Sequence, residues 1–143
     1  MRRVLLPIDG SECALRGVAL VVAKRAQYAA PDEIDIHLVN VQPPLPHDMS
    51  RFASHEQIAA LHREESEKQM RDACKLLDAV EARHTCHHLV GKVAETIISL
   101  ADSLHCDQIV LGSHGKSAQK DAPPGSVAQK IAHLSKVPVL LVK

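Results

Sequence analysis

Short apolar runs and helical patterns take turns along the whole of this chain, and that alternation restricts the fold more than any other feature. Arg3-Val-Leu-Leu-Pro-Ile8 reads as a buried strand, with Pro7, which lacks an N–H, at its end. Asp9-Gly10-Ser11 is a turn and helix start. Leu15, Val18, Ala19, Val22 and Ala26 then recur at helical spacing until Pro31-Asp32 breaks the pattern. Ile34 to Val41 reads as a second strand, with Ile34, Ile36 and Leu38 on one face and Val39 and Val41 on the other. Pro43-Pro44-Leu45-Pro46 opens an irregular stretch to about Ala53, a candidate mobile loop placed to close over a ligand. Ser54 to Glu81 reads as a long helix, with Met70, Ala73, Leu77 and Val80 aligned and the charge run Arg63 to Lys68 on a solvated face. A third strand over His84 to Val90, a helix over Ala94 to Leu104 and a strand over Asp107 to Leu111 follow. A helix over Val127 to Leu134 and a last strand over Val137 to Val142 complete the series. Strands alternating with helices imply an α/β fold, a parallel sheet wrapped by helices through right-handed crossovers. The 143 residues form one domain, 1–143, with no internal repeat.

In such sheets ligands bind beyond the carboxyl ends of the strands. The chain concentrates glycine there. Gly112-Ser113-His114-Gly115 follows the fourth strand, and Gly125-Ser126 comes nine residues later, just before a helix. Glycine lets another molecule approach the backbone closely. A helix start offers unpaired N–H groups and the positive end of a dipole, which attract phosphate. The order strand, Gly-x-x-Gly, long loop, Gly-Ser, helix therefore points to a phosphate-binding site. It is not a Walker A loop, since no Gly-Lys-Ser/Thr follows a four-residue gap. The plainer alternative is that these glycines end a strand and open a helix, with Ser126 as N-cap and Gln129 completing a capping box.

Charge and composition exclude several functions. Seventeen Lys and Arg balance 17 Asp and Glu, which argues against a nucleic-acid footprint or a polybasic membrane anchor. Tyr28 and Phe52 are the only aromatics, so the core is aliphatic and base stacking on an aromatic platform is nearly excluded. No apolar run reaches the length of a membrane span and the N-terminus carries no apolar signal region, so a cytoplasmic protein is expected. Cys13, Cys74, Cys86 and Cys106 are widely spaced and read as buried thiols in a reducing compartment. His84, Cys86 and His88 alternate onto one strand face. Positions two apart on a strand stand about 7 Å from one another, long for sharing one tetrahedral ion. The reading is a solvated or edge strand with no metal.

These residues resemble the universal stress protein family. The similarity runs over nearly the whole chain: Val-Leu-Leu-Pro-Ile-Asp-Gly-Ser-Glu at 4–12, Leu-Val-Asn-Val at 38–41, Asp107 to Lys116, Gly125-Ser126-Val127 and Val137 to Val142. The spacing Gly-x2-Gly-x9-Gly-Ser/Thr marks the family's nucleotide-binding branch; another branch lacks the glycines. The resemblance implies a five-stranded parallel sheet of order 3-2-1-4-5 with helices on both faces, a variant of the Rossmann fold. It implies ATP binding with Mg²⁺ or Mn²⁺ on the phosphates, and homodimers paired through the last strand. Carried onto this sequence, Pro7, Ile8 and Asp9 wall the base and ribose, with Asp9 near the ribose hydroxyls or a metal-bound water. Val41 contacts adenine through its backbone. Leu111, Gly112, His114 and Gly115 line the ribose and α-phosphate. Gly125, Ser126 and Val127 give N–H groups to the β- and γ-phosphates. One departure stands beside the site: Asp121-Ala122-Pro123-Pro124 replace the aliphatics usual before Gly125. Pro124 removes a donor and stiffens the loop, so binding is weaker or the loop differently placed. The expected role is a cytoplasmic, nucleotide-responsive regulatory module in stress response, acting on protein clients without catalytic residues. The alternatives are a slow ATPase or phosphotransferase and a nucleotide-free interaction protein of the same fold.

Overall fold

The computed structural model of the chain describes residues 1–116 and 123–143; the Asp121-Ala122 part of the departure before Gly125 lies outside them. β1 (Arg3–Pro7) and α1 (Glu12–Arg25) lead through a 3₁₀ turn (Pro31–Glu33) to β2 (Asp35–Gln42). The short helix α2 (His47–Ser50) and the long α3 (His55–Ala79) follow, then β3 (His84–Val90), α4 (Val93–Ser103), β4 (Gln108–Gly112), α5 (Ser126–Leu134) and β5 (Val139–Val142). The sheet is parallel throughout and its order is β3-β2-β1-β4-β5. That is the 3-2-1-4-5 order the family resemblance implied.

β1 lies at the centre because it can be buried on both faces. Val4, Leu5 and Leu6 are wholly buried, the continuous apolar run expected of a strand covered on two sides. Even-numbered residues of β1 and β2 (Val4, Leu6, Ile36, Leu38) pack with Val18, Val21, Met70 and Leu77 of α1 and α3. The alternate residues (Leu5, Val39, Val41) pack with Ile97, Ala101 and Ile131 of α4 and α5. The two faces of β2 divide as its alternation predicted.

The differences from the sequence reading are local. α1 buries Ala14, Gly17, Val18 and Val21, while Ala19 and Ala26 are exposed; small residues at many positions blur the stripe. α3 ends before Val80, which is exposed. β5 starts at Val139 rather than Val137, because the ladder resumes after Pro138, whose carbonyl accepts from Ile109 N–H at 2.9 Å. The stretch after Gln42 holds α2 rather than being wholly irregular. No helix among the described residues is long and apolar enough to cross a membrane.

Candidate functional site

Ordering the strands 3-2-1-4-5 makes the connections leave β1 in opposite directions, so a crevice opens beyond the carboxyl ends of β1 and β4. A cleft of about 500 Å³ occupies that position, within the range of small-molecule sites. Pro7, Ile8, Asp9, Val41, Leu111, Gly112, His114, Gly115, Gly125, Ser126 and Val127 all line it. Four separate stretches of chain are thus brought to one hollow.

The first wall is the end of β1. Pairing of β1 with β2 stops at Pro7 opposite Val39, with one further bond from Ile8 N–H to the Val39 carbonyl at 2.8 Å. Main-chain groups of alternate residues point to the same side of a strand. Those of Val41 therefore face the gap where β1 has ended. The Ile8 carbonyl is held from below: Asn40, buried to 1% exposure, donates to it through Nδ2 at 2.8 Å. Asn40 also donates to Gln69 Oε1 at 2.7 Å, and Gln42 Nε2 donates to Asn40 Oδ1 at 2.8 Å. Gln69 in turn donates to Glu65 at 2.9 Å. A buried polar group without a partner costs about 1–3 kcal/mol, so this satisfied network fixes the cleft floor. Sequence reading missed Gln42 and Gln69, both of which line the cleft. Gln69 falls just after a charge run, where nothing in the pattern separates it from solvated neighbours.

The helix after β1 is capped by Ser11, whose hydroxyl accepts from Ala14 N–H at 3.2 Å. Asp9 is therefore not the cap. Its Oδ1 accepts from Ser11 N–H at 2.8 Å, and its Oδ2 faces Gly115, 3.3 Å from where a Cβ would stand.

The second wall joins the glycine turns. The Ser113 N–H donates to the Val142 carbonyl and the Gly125 N–H to the Ser113 carbonyl, each at 2.8 Å. This clips the start of α5 onto the end of β4. Two expectations change. Gly125, not Ser126, is the N-cap residue, and it brings no side-chain cap. The Gly125 N–H is already bonded, so the donors left for an anion are those of Ser126 and Val127. Gln129 turns back to the Pro124 carbonyl at 2.5 Å instead of closing a capping box. Lys116, also missed, reaches over Gly10, so that a Cβ there would lie 2.8 Å from its Cε. Its Nζ would stand 3.1 Å from that Cβ, and Lys116 lines the cleft. The cleft thus offers apolar walls, a free helix start, one lysine and a single carboxylate among its described lining residues. That is the chemistry of an anion carrying an apolar or heterocyclic group. Asp9, with one oxygen already occupied, suits contact with a cation through water better than a full ligand set.

Comparison with known proteins agrees in fold and chain length. Universal stress protein MJ0531 of Methanocaldococcus jannaschii is 27% identical over 142 residues, 99% of this chain and 82% of that protein. The solved structure of hypothetical protein MJ0577 is 28% identical at a TM-score of 0.81, covering 99% of this chain and 95% of that one. A universal stress protein solved in complex with cAMP is 25% identical at a TM-score of 0.69, covering 99% and 97%. The family model for the Universal stress protein family matches residues 1–143. This chain belongs to the universal stress protein family.

Proposed function

We propose that this protein binds an adenine nucleotide in the β1–β4 cleft, ATP with Mg²⁺ or Mn²⁺ on its phosphates, and acts as a nucleotide-responsive regulatory module in stress response. The observation that carries the reading is the start of α5, without a side-chain cap and held by the Ser113–Gly125 bond, in the lining of a cleft with apolar walls. A helix start of this kind binds phosphate through its N–H groups and dipole. The cAMP complex of a 25% identical relative supports the adenine assignment. In this reading Pro7, Ile8 and the Val41 main chain hold the base. Asp9 meets the ribose or a metal-bound water; Leu111, Gly112, His114 and Gly115 flank the ribose. Ser126, Val127 and Lys116 meet the phosphates. The protein works in the cytoplasm as a homodimer, on protein clients. A single carboxylate among the described lining residues favours binding over turnover, since phosphoryl transfer generally needs placed acids for both metal and nucleophile. The test is calorimetry with Mg-ATP, AMP and cAMP, with mass spectrometry of whatever the purified protein releases on denaturation. One-to-one adenine-nucleotide binding without steady phosphate release is expected. No binding of any of the three at millimolar nucleotide overturns the reading.

A further inference from the structure

We propose that Cys74, His84 and Cys86 form a binding site for a thiophilic divalent cation, Zn²⁺ in the first instance, on the β3 edge of the sheet. The site is separate from the cleft and does not depend on it. Cys74 comes from α3, and His84 and Cys86 come from β3. Each offers one ligand atom, and these atoms all lie within 4.8 Å of one another.

The distances suit a metal. The two sulfurs stand 3.5 Å apart. Two thiolates bound to one tetrahedral Zn²⁺ at about 2.3 Å stand about 3.8 Å apart, so a shift of a few tenths of an ångström completes the pair. A disulfide requires about 2.05 Å, a much larger movement. The spacing argument from the strand alone fails because the backbone separation of His84 and Cys86 does not limit how closely their side chains converge. His88, on the same strand face, is not a ligand: its Nδ1 lies 2.6 Å from Ser66 Oγ.

The surroundings also suit a cation. His84 Nδ1 lies 2.9 Å from the Ala82 carbonyl. A carbonyl accepts only from N–H, so Nε2 keeps the lone pair, the usual second contact of a metal-binding imidazole. Asp78 lies one helical turn after Cys74, with Oδ1 4.0 Å from His84 Nε2. It is placed to serve as fourth donor, or as counter-charge with water in the fourth position. A groove of about 780 Å³ opens beside Asp78 and His84. Its Asp32 and Asp35 are paired to Arg25 and Arg3, and Glu33 and Glu81 add to Asp78 against Arg83 alone. This gives the cation a negative approach. Burial, with Cys86 and Asp78 nearby, pushes the Cys74 thiol up to about 12. Binding forms two Zn–S bonds and releases one proton from each thiol to solvent.

The experiment uses the full chain, reduced and stripped with chelator, without nucleotide. Co²⁺ is titrated as a spectroscopic probe, followed by Zn²⁺ in competition with a chromophoric chelator. One equivalent of Co²⁺ should bring thiolate-to-metal charge transfer and tetrahedral d–d bands, and Zn²⁺ should displace it. Cys74→Ser, Cys86→Ser and His84→Gln should each weaken binding by at least about tenfold. Cys106→Ala, a cysteine of the opposite core, should leave binding unchanged. His84→Gln is a partly exposed change on an edge strand, so it tests the site even if a serine variant folds poorly. Three outcomes each overturn the proposal. They are no charge transfer at stoichiometric metal, a full signal in the Cys74→Ser/Cys86→Ser variant, and a Cys74–Cys86 disulfide with no metal uptake after reduction. Loss of nucleotide binding with metal binding intact would fault only the cleft assignment.

Discussion

Residue by residue, the glycines of the cleft are not equivalent, and the difference separates a folding role from a binding role. A Cβ on Gly112 would lie 2.8 Å from Ala14 N and 2.9 Å from Cys13 C. Those are main-chain atoms at the start of α1 and cannot swing aside. Gly112 is therefore required by the packing of β4 against α1 whether or not a ligand binds. A Cβ on Gly125 would meet Ser113 O at 3.8 Å and Gly115 N at 4.0 Å. Gly125 also has φ −59° and ψ 159°, a conformation any L-residue accepts. The fold leaves that space unfilled. Gly112→Ala should destabilise the protein by about 1–3 kcal/mol, the scale of overpacking. Gly125→Ala should change stability by no more than about 0.5 kcal/mol. Gly125→Val should weaken nucleotide binding by at least about tenfold, about 1.4 kcal/mol, by projecting a side chain into the phosphate position. Urea unfolding and calorimetry read the two effects separately. Wild-type nucleotide affinity in Gly125→Val, with the fold intact, contradicts the assignment.

At the scale of elements, the two edge strands differ. β5 pairs only with β4 and carries Leu140 and Leu141, each 37% exposed, on opposite faces. An apolar edge with free main-chain groups invites pairing unless charge or proline protects it. Pro138 precedes this strand and Lys143 follows it, so neither interrupts it. Antiparallel pairing with a second copy about a two-fold axis would satisfy both edges at once. Leu140→Lys and Leu141→Lys are tolerable in the protomer because both positions are partly open, but each would place a charge in that contact. Light scattering at tens of micromolar should show a wild-type dimer moving towards monomer in both variants. A wild-type monomer, or a dimer indifferent to both, removes the strand-pairing proposal. Elements of this kind were legible because period and punctuation carry them: the Ile34-Ile36-Leu38 alternation and the glycine spacing are local. The Asn40–Gln42–Gln69 network and the Cys74–His84–Cys86 cluster were not legible. Each joins a side chain of α3 to a strand, Gln69 to Asn40 across 29 residues and Cys74 to Cys86 across 12, and no spacing rule encodes that meeting. In the α1 stripe Leu15, Val18 and Val22 do pack on the core, and only Ala19 and Ala26 were misplaced, since alanines fit either face equally well.

For the whole molecule, histidine sets the direction of pH dependence near neutrality. His87 of β3 stacks on His37 of β2 with ring centroids 5.2 Å apart, and His37 Nδ1 lies 2.9 Å from His87 Nε2. Burial holds the His87 imidazole below the ordinary 6.5, and the positive charge that His37 and His88 can carry adds to the effect. Burial also lowers His88, reinforced by Arg63 and opposed by Glu67. Well above pH 7 His87 and His88 are neutral in the folded and unfolded chain alike, and they contribute little slope. As pH falls through 6.5, the unfolded chain takes up protons at His87 and His88 that the native protein refuses. Stability rises with pH wherever the unfolded state binds more protons, so acidification destabilises the fold until the lowered native values are reached. Asp35 belongs to a lower window. Burial raises its carboxyl, but hydrogen bonds from His37 and Arg3 outweigh that and hold it below 3.8. The urea midpoint of the wild type should therefore be level between about pH 8 and about pH 7 and fall between about pH 6.5 and about pH 5.5, before any carboxylate titrates. His87→Gln/His88→Gln should flatten that fall while lowering the midpoint at neutral pH, since the Ser66–His88 bond is lost with it. A midpoint that rises on acidification, or an unchanged slope in the double variant, would show that other groups govern the acid limb.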